Sequence, residues 1–228
     1  MTQNLMAKKL MGRKRGMTQM FDAQGNVVTC TVIHAEPSVI TQIKTKATDG
    51  YEAVQMAYDE VVVQDERTIA NRVSKPLRGH FQKTNTPASR FLYETRVDDA
   101  SQFEVGQKMG VALFQDVKFV DVRGVSKGKG YQGMIKKYNY AGGPAAHGSG
   151  FHRHAGSTGM RSSPGRCLPG GPRPSQMGNK PVTVQSLKVV AIDEEKNVVI
   201  VEGAVPGARN GVVFLSNATK KKTAKKHK

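Results

Sequence analysis

Apolar and polar residues alternate through most of this chain in short runs, each stopped by turn residues. Residues 16–21 (GMTQMF) alternate and break at Asp22-Ala23-Gln24-Gly25. Residues 26–35 (NVVTCTVIHA) alternate again and are rich in β-branched side chains, which suit a pleated, half-buried surface. Runs at 39–45 and 51–58 follow, separated by Ala47-Thr48-Asp49-Gly50, where the glycine predicts a positive φ. Residues 91–97 and 118–125 predict two further strands. One stretch, 74–84 (SKPLRGHFQKT), predicts a helix with Ser74 as N-cap and Pro76 in its first turn, weakened by Gly79. Strand patterning resumes at 182–192 and 197–202 around the connection 193–196, then again at 212–215 after a Gly203–Gly207 turn. Short strands with tight connections exclude a βαβ architecture. They predict a mainly β fold: an antiparallel β-barrel whose last strands pair with its first, closing the sheet and removing exposed edges, with a few short helices.

Charge breaks this pattern in one place. The chain of 228 residues carries a net charge of +17, and +10 of it lies in residues 118–180, which hold eleven cations and the single acid Asp121. The same stretch contains 14 of the 24 glycines and five of the ten prolines. Residues 1–117 are nearly balanced, with 15 basic and 13 acidic side chains, and residues 181–217 are slightly acidic. The organisation expected is therefore a barrel begun by residues 1–119, a basic Gly/Pro-rich extension over 120–180, closing strands over 181–217 and a lysine-rich tail over 218–228. Like charge and low apolar content leave the extension without the means to fold alone, so it needs a polyanion to lie against, and nucleic acid is the first candidate. The 63 residues of the basic run 118–180, running out and back, reach at most about 100 Å at ~3.3 Å per residue.

Other chemistries fit the residues poorly. No apolar run reaches the ~18 to 20 residues of a membrane-spanning helix, and the first ten residues have no signal-like core, so a soluble, unexported protein is expected. Two cysteines, Cys30 and Cys167, make no disulfide framework and no CxxC pair. Gly128-Lys129-Gly130-Tyr131-Gln132-Gly133 spells GxGxxG, but no acid follows until Asp193 to hold a ribose, and the surroundings are not βαβ. The better reading is a strap in which Gly128 and Gly130 let the backbone approach phosphates that Lys127 and Lys129 neutralise. His147, His152, His154 and Cys167 could form a metal cluster, yet their spacing is unremarkable, and histidines amid arginines serve equally as partners for RNA. With no convergent acid–base pair, no catalytic role and no cofactor are expected. Tyr131, Tyr138, Tyr140 and Phe151 interleave with the cations, either anchoring the base of the extension or stacking on bases. The tail lysines match the extension in sign and are read as further RNA contacts.

Ten short motifs occur in order along residues 10–215: Gly12-Arg13-Lys14-Arg15-Gly16-Met17-Thr18-Gln19-Met20-Phe21, Arg78-Gly79-His80-Phe81, Ser126-Lys127-Gly128-Lys129-Gly130, His147-Gly148, His152-Arg153-His154, Gly156-Ser157-Thr158-Gly159, Ser163-Pro164-Gly165-Arg166, Gln176-Met177-Gly178, Val182-Thr183-Val184 and Gly203-Ala204-Val205-Pro206-Gly207. Together they resemble the bacterial form of the universal large-subunit ribosomal protein L3 family. The resemblance implies a translation-factor-like barrel, an extension threading large-subunit (23S) rRNA toward the peptidyl-transferase centre, and an early role in subunit assembly. It implies rRNA and neighbouring large-subunit proteins as partners in the cytoplasmic ribosome, with no membrane and no small-molecule substrate. The residues expected to bind rRNA are Arg13, Lys14, Arg15, Arg123, Lys127, Gly128, Lys129, Gly130, Lys136, Lys137, His147, His152, Arg153, His154, Arg161, Arg166, Arg173 and Lys180. Met160 stands where many bacterial members carry a methylated glutamine, and residues 169–174 (PGGPRP) replace an expected lysine-rich stretch. A general RNA-binding or nucleoid-type protein outside the ribosome is the alternative reading.

Overall fold

A computed structural model describes residues 8–64 and 66–221, so most of the lysine tail lies outside the described residues. The strands are β1 (Lys9–Phe21), β2 (Val27–His34), β3 (Ser38–Lys44), β4 (Ala53–Glu60), β5 (Ser89–Arg96), β6 (Lys108–Met109), β7 (Phe119–Val125), β8 (Gly130–Gln132), β9 (Ser175–Met177), β10 (Pro181–Asp193), β11 (Val198–Glu202) and β12 (Val212–Asn217). The helices are short: α1 (Lys46–Asp49), α2 (Glu66–Arg72), α3 (Lys75–Lys83) and α4 (Met134–Tyr138). Two compact units result, one of Met1–Val125 with Pro181–Lys228, the other of Ser126–Lys180.

The first unit contains a closed antiparallel barrel in the order β1-β12-β7-β10-β11-β2. The closure expected from the strand pattern is present: β12 pairs with β1, Leu215 opposite Leu10. Alternation explains the filling, because successive strand side chains point to opposite faces. Leu10, Ile33, Val120, Val122, Val199, Val201, Val213 and Leu215 all point inward and are fully buried.

Not every early strand joins that barrel. β3 to β6 form a separate sheet, ordered β5-β4-β3-β6. The reason is topological: β1 has β12 and β2 on its two edges, and β2 has β1 and β11, so no barrel edge remains for β3. The sheet has its own core of Ile40, Val54, Met56, Tyr58, Tyr93 and Met109, against which Phe214 and Val212 pack from the outward face of β12. β12 thus supplies alternate residues to two cores.

Local expectations fared unevenly. Gly50 has φ +80, as the turn required, but it caps the one-turn helix α1. The helix over 74–84 is α3, with Ser74 at its N-cap in an extended conformation and making no side-chain cap bond. Residues 131–138 hold the end of β8 and the five-residue α4. Neither α2 nor the bulge in β10, where Ser186 takes φ +59 between Val184 and Leu187, had a sequence signal strong enough to predict it.

Asp121 and Arg123, the first charged residues after Lys118 in the basic run, are residues of β7. The Asp121 side chain is buried, with only 4% exposed. One carboxylate oxygen accepts from the Ser186 amide at 2.7 Å and the other from the Thr219 amide and hydroxyl, both at 3.1 Å. The lone acid of the cationic run is therefore a structural clamp on the β10 bulge and on the chain leaving β12.

Candidate nucleic-acid interface

The Ser126–Lys180 unit is built with almost no core. Met134, 6% exposed, is the one buried residue of the 55, all of which are described. Its charge is uncompensated, with nine cations, three histidines and no carboxylate. Eight of the nine cations are exposed, and Lys137 is half-buried. A segment of this kind cannot be held by hydrophobic burial, so backbone geometry must hold it.

At the root the two legs are tied in register. The Ser126 amide donates to the Lys180 carbonyl at 2.9 Å, the Lys180 amide to the Ser126 hydroxyl at 3.3 Å, and the Lys129 amide to the Met177 carbonyl at 2.9 Å. β8 and β9 continue this ladder, Gly130 opposite Met177 and Gln132 opposite Ser175. Gly178, at φ +72, makes the tie possible, because a Cβ there would stand 2.1 Å from the Lys127 carbonyl oxygen. Gly178 therefore brings the legs together while the side chains of Lys127 and Lys129 remain exposed.

Farther out, a second close approach sets the position of the histidines. The Gly143 amide donates to the His152 carbonyl at 3.2 Å, and a Cβ on Gly143 would sit 2.2 Å from the Phe151 carbonyl oxygen. His152 Nδ1 lies 3.0 Å from the Pro144 carbonyl, so this ring nitrogen acts as a donor to it. The His154 ring meets Phe151 with centroids 5.0 Å apart. No metal-holding group of His, Cys, Asp or Glu exists among the described residues. Cys30 and Cys167 are both free. Hydrogen bonding to Thr158, with Arg173 beside it, draws the exposed Cys167 thiol below its ordinary range.

The aromatic residues are oriented outward. Tyr131 is 74% exposed and Phe151 61%, and Tyr138 and Tyr140 are also exposed. These rings stand exposed among the cations of the unit. Exposed Met160 and Leu168 belong with them; each sits singly among Gly, Ser and Pro, where periodicity carries no signal.

The three basic residues near the N-terminus are placed differently. Arg13 forms an ion pair with Asp59 at 2.5 Å, and Lys14 donates to the Val205 carbonyl at 2.7 Å. Arg15 is exposed, its guanidinium 3.4 Å from Asn210 Oδ1 and 3.3 Å from His34 Nδ1. Of the set, Arg15 presents its charge to solvent, whereas Arg13 and Lys14 spend theirs on the barrel unit.

Comparison with known proteins gives a consistent picture. The family model described as Ribosomal protein L3 matches residues 94–198, which span the end of the second sheet, the whole extension and the start of β11. The chain is 55% identical to the large ribosomal subunit protein uL3 of Protochlamydia amoebophila (strain UWE25), over 97% of this chain and 93% of that protein. It is 51% identical to the protein of the same name from Chlamydia felis (strain Fe/C-56), over 93% of this chain and 97% of that one. The Chlamydia pneumoniae protein is 50% identical over 92% of this chain and 97% of its own length.

Proposed function

The chain belongs to the ribosomal protein L3 family, and on that premise we propose that it is a structural, non-enzymatic constituent of the large subunit of the cytoplasmic ribosome, binding large-subunit rRNA directly through Ser126–Lys180. One observation carries the reading: 55 residues with nine cations, no acid and a single buried side chain, tied at their root into a two-legged strap. Such a segment gains order by lying between phosphates. Its cations relieve the repulsion of converging RNA backbones, and its exposed aromatic rings offer faces for unstacked bases. Phosphate and 2′-hydroxyl contacts dominate recognition of this type, so the extension reads the shape of one rRNA fold more than its sequence.

The contacting residues in this proposal are Lys127, Lys129, Lys136, Lys137, Arg153, Arg161, Arg166, Arg173 and Lys180, with Gly128, Gly130, His147, His152 and His154 shaping the path, and Arg123 and Arg15 contributing from the barrel unit. The role is architectural. By lowering the free energy of one rRNA conformation the protein assists early assembly of the subunit, and the far end of the extension supports the RNA of the peptidyl-transferase centre. A general nucleic-acid binder has no need of a single long insertion between two paired barrel strands. Sucrose-gradient sedimentation separates the two: the ribosomal reading requires that the protein stay with large subunits at moderate salt, and release at that salt would sink it.

A crossed pair of variants tests the strap. Lys44 is bound to Glu94 at 2.8 Å and to the Tyr51 hydroxyl at 3.0 Å, and these bonds hold its pKa above the usual lysine value. Lys46 faces Glu52 at 3.6 Å. Lys44→Ala/Lys46→Ala should therefore lower the melting temperature and leave the salt dependence of RNA binding unchanged. Lys127→Ala/Lys129→Ala should do the reverse, reducing the slope of log K against log salt by about 1.4 to 1.8 at ~0.7 to 0.9 per phosphate. Equal slopes for the two double variants would contradict the phosphate-strap role.

A further inference from the structure

Within the first unit, the stretch from Arg67 to Tyr93 holds six cations and no acid, although residues 1–117 as a whole are nearly charge-balanced. Its centre is α3. Phe81 and Val73 are buried, and His80 Nε2 lies 2.7 Å from Gln55 Oε1, which also accepts from the Thr41 hydroxyl at 2.9 Å. These contacts fix one side of α3 onto β3 and β4. At 100° per residue, Lys75, Gly79, Gln82 and Lys83 fall on the opposite side, and all four are exposed. Arg78 flanks them, half-buried. Several cations of this unit are neutralised by acids: Arg13 and Arg90 by Asp59, Lys44 by Glu94 and Lys46 by Glu52. Lys75, Arg78 and Lys83 have no such acid among the described residues.

Gly79 is the informative residue. Glycine inside a helix is less favourable than alanine, because the unfolded chain loses more freedom and no side chain is gained. Nothing among the described residues accounts for it. Its φ is not positive, and a Cβ built there would meet no atom within 4 Å. The gap left by the missing side chain opens onto solvent, with Lys75 and Lys83 four residues away on either side. A residue that weakens its own helix and makes room for no neighbour in the fold makes room for something outside it.

We propose that this face of α3 is a second RNA-docking surface, independent of the extension, on which a sugar–phosphate backbone crosses the helix at Gly79 between Lys75 and Lys83. The proposal rests on the RNA-binding reading above. The two lysines lie about 12 Å apart along the axis, at ~1.5 Å rise per residue, enough to hold charge on both sides of a crossing strand. The bare glycine favours RNA over an acidic protein. Carboxylates reach cations on flexible side chains and need no cleared backbone, whereas a phosphodiester chain is a continuous ridge that gains from close approach.

The test uses the full chain and an in vitro transcript of large-subunit rRNA, titrated across a range of KCl. Gly79→Ala should raise the melting temperature and at the same time weaken RNA binding about tenfold, comparable to the loss of one charge-assisted hydrogen bond. Lys75→Gln/Lys83→Gln should leave the melting temperature unchanged and lower the salt slope by about 1.4 to 1.8. Opposite signs for stability and binding in Gly79→Ala are what a purely structural glycine does not produce. A lower melting temperature, or a higher one with RNA affinity intact, would overturn the inference. So would loss of a protein neighbour from the particle with RNA binding unchanged, which would assign the face to an acidic protein. If Lys127→Ala/Lys129→Ala weakens binding and the α3 variants do not, only this inference falls. Should the unmodified chain show no salt-dependent binding, the RNA-binding reading falls first.

Discussion

Joining Ser126 to Lys180 through an Asn-Gly turn, with residues 127–179 removed, should yield a folded barrel that no longer holds its place on rRNA. The excision is geometrically gentle. Val125 pairs with Pro181 in the β7–β10 ladder, and the Ser126 amide already donates to the Lys180 carbonyl, so a two-residue turn completes a hairpin that the register has prepared. Neither core cluster of described residues draws a member from the excised segment, so the melting temperature should change by no more than a few degrees. Binding should change greatly. If about four or five of the eight excised cations meet phosphates, the salt slope falls by about 3 to 4, and affinity at moderate salt falls on the order of a thousandfold. A salt slope equal to that of the intact chain would mean that the extension is not the principal RNA contact.

The second large effect concerns stability. Asp121→Ala removes the acceptor of three hydrogen bonds in a site only 4% exposed, leaving the Ser186 and Thr219 amides without partners. Buried donors left unsatisfied cost ~1 to 3 kcal/mol each, so a loss of about 3 to 5 kcal/mol is expected, read as a lower urea midpoint by circular dichroism. Asp121→Asn should lose less, because an amide oxygen still accepts. The variant raises the net positive charge, so its RNA-binding slope should not fall. If Asp121→Ala unfolded at the same urea concentration as the unmodified chain, the clamp would have no energetic weight.

Asp121 also marks where the sequence stops being informative. In a list of charges it is one acid diluted among eleven cations, and composition treats it as an exception in a basic segment. Only the register, with Val182 opposite Gly124 and Leu187 opposite Val120 across a bulge, shows why a carboxylate belongs there. Most strands were legible because two-residue alternation is a direct consequence of one buried face; Val198–Glu202 and Val212–Asn217 lie within a residue or two of their predicted bounds. Alternation says nothing about which sheet a strand joins, and so the separate β3–β6 sheet was not foreseen. For the interface, charge could be counted but shape could not. The chain's path through Gly142, Gly143 and Gly178 depends on backbone contacts between residues distant in sequence, and a Gly/Pro-rich stretch carries no periodicity from which to infer them.

The barrel's closure has a consequence for the order in which the protein is made. β7 carries the extension, and its two neighbours, β10 and β12, both follow the extension in the chain. A nascent chain therefore finishes its polycationic arm while the strand beneath that arm still has two open edges. β1 waits longer still, since one of its partners spans Val212–Asn217. Pairings between such distant segments form slowly, and unpaired edges invite aggregation. Until residue 217 has been added, the growing polypeptide exposes open sheet edges beside a finished run of uncompensated cations. The final strand closes the barrel.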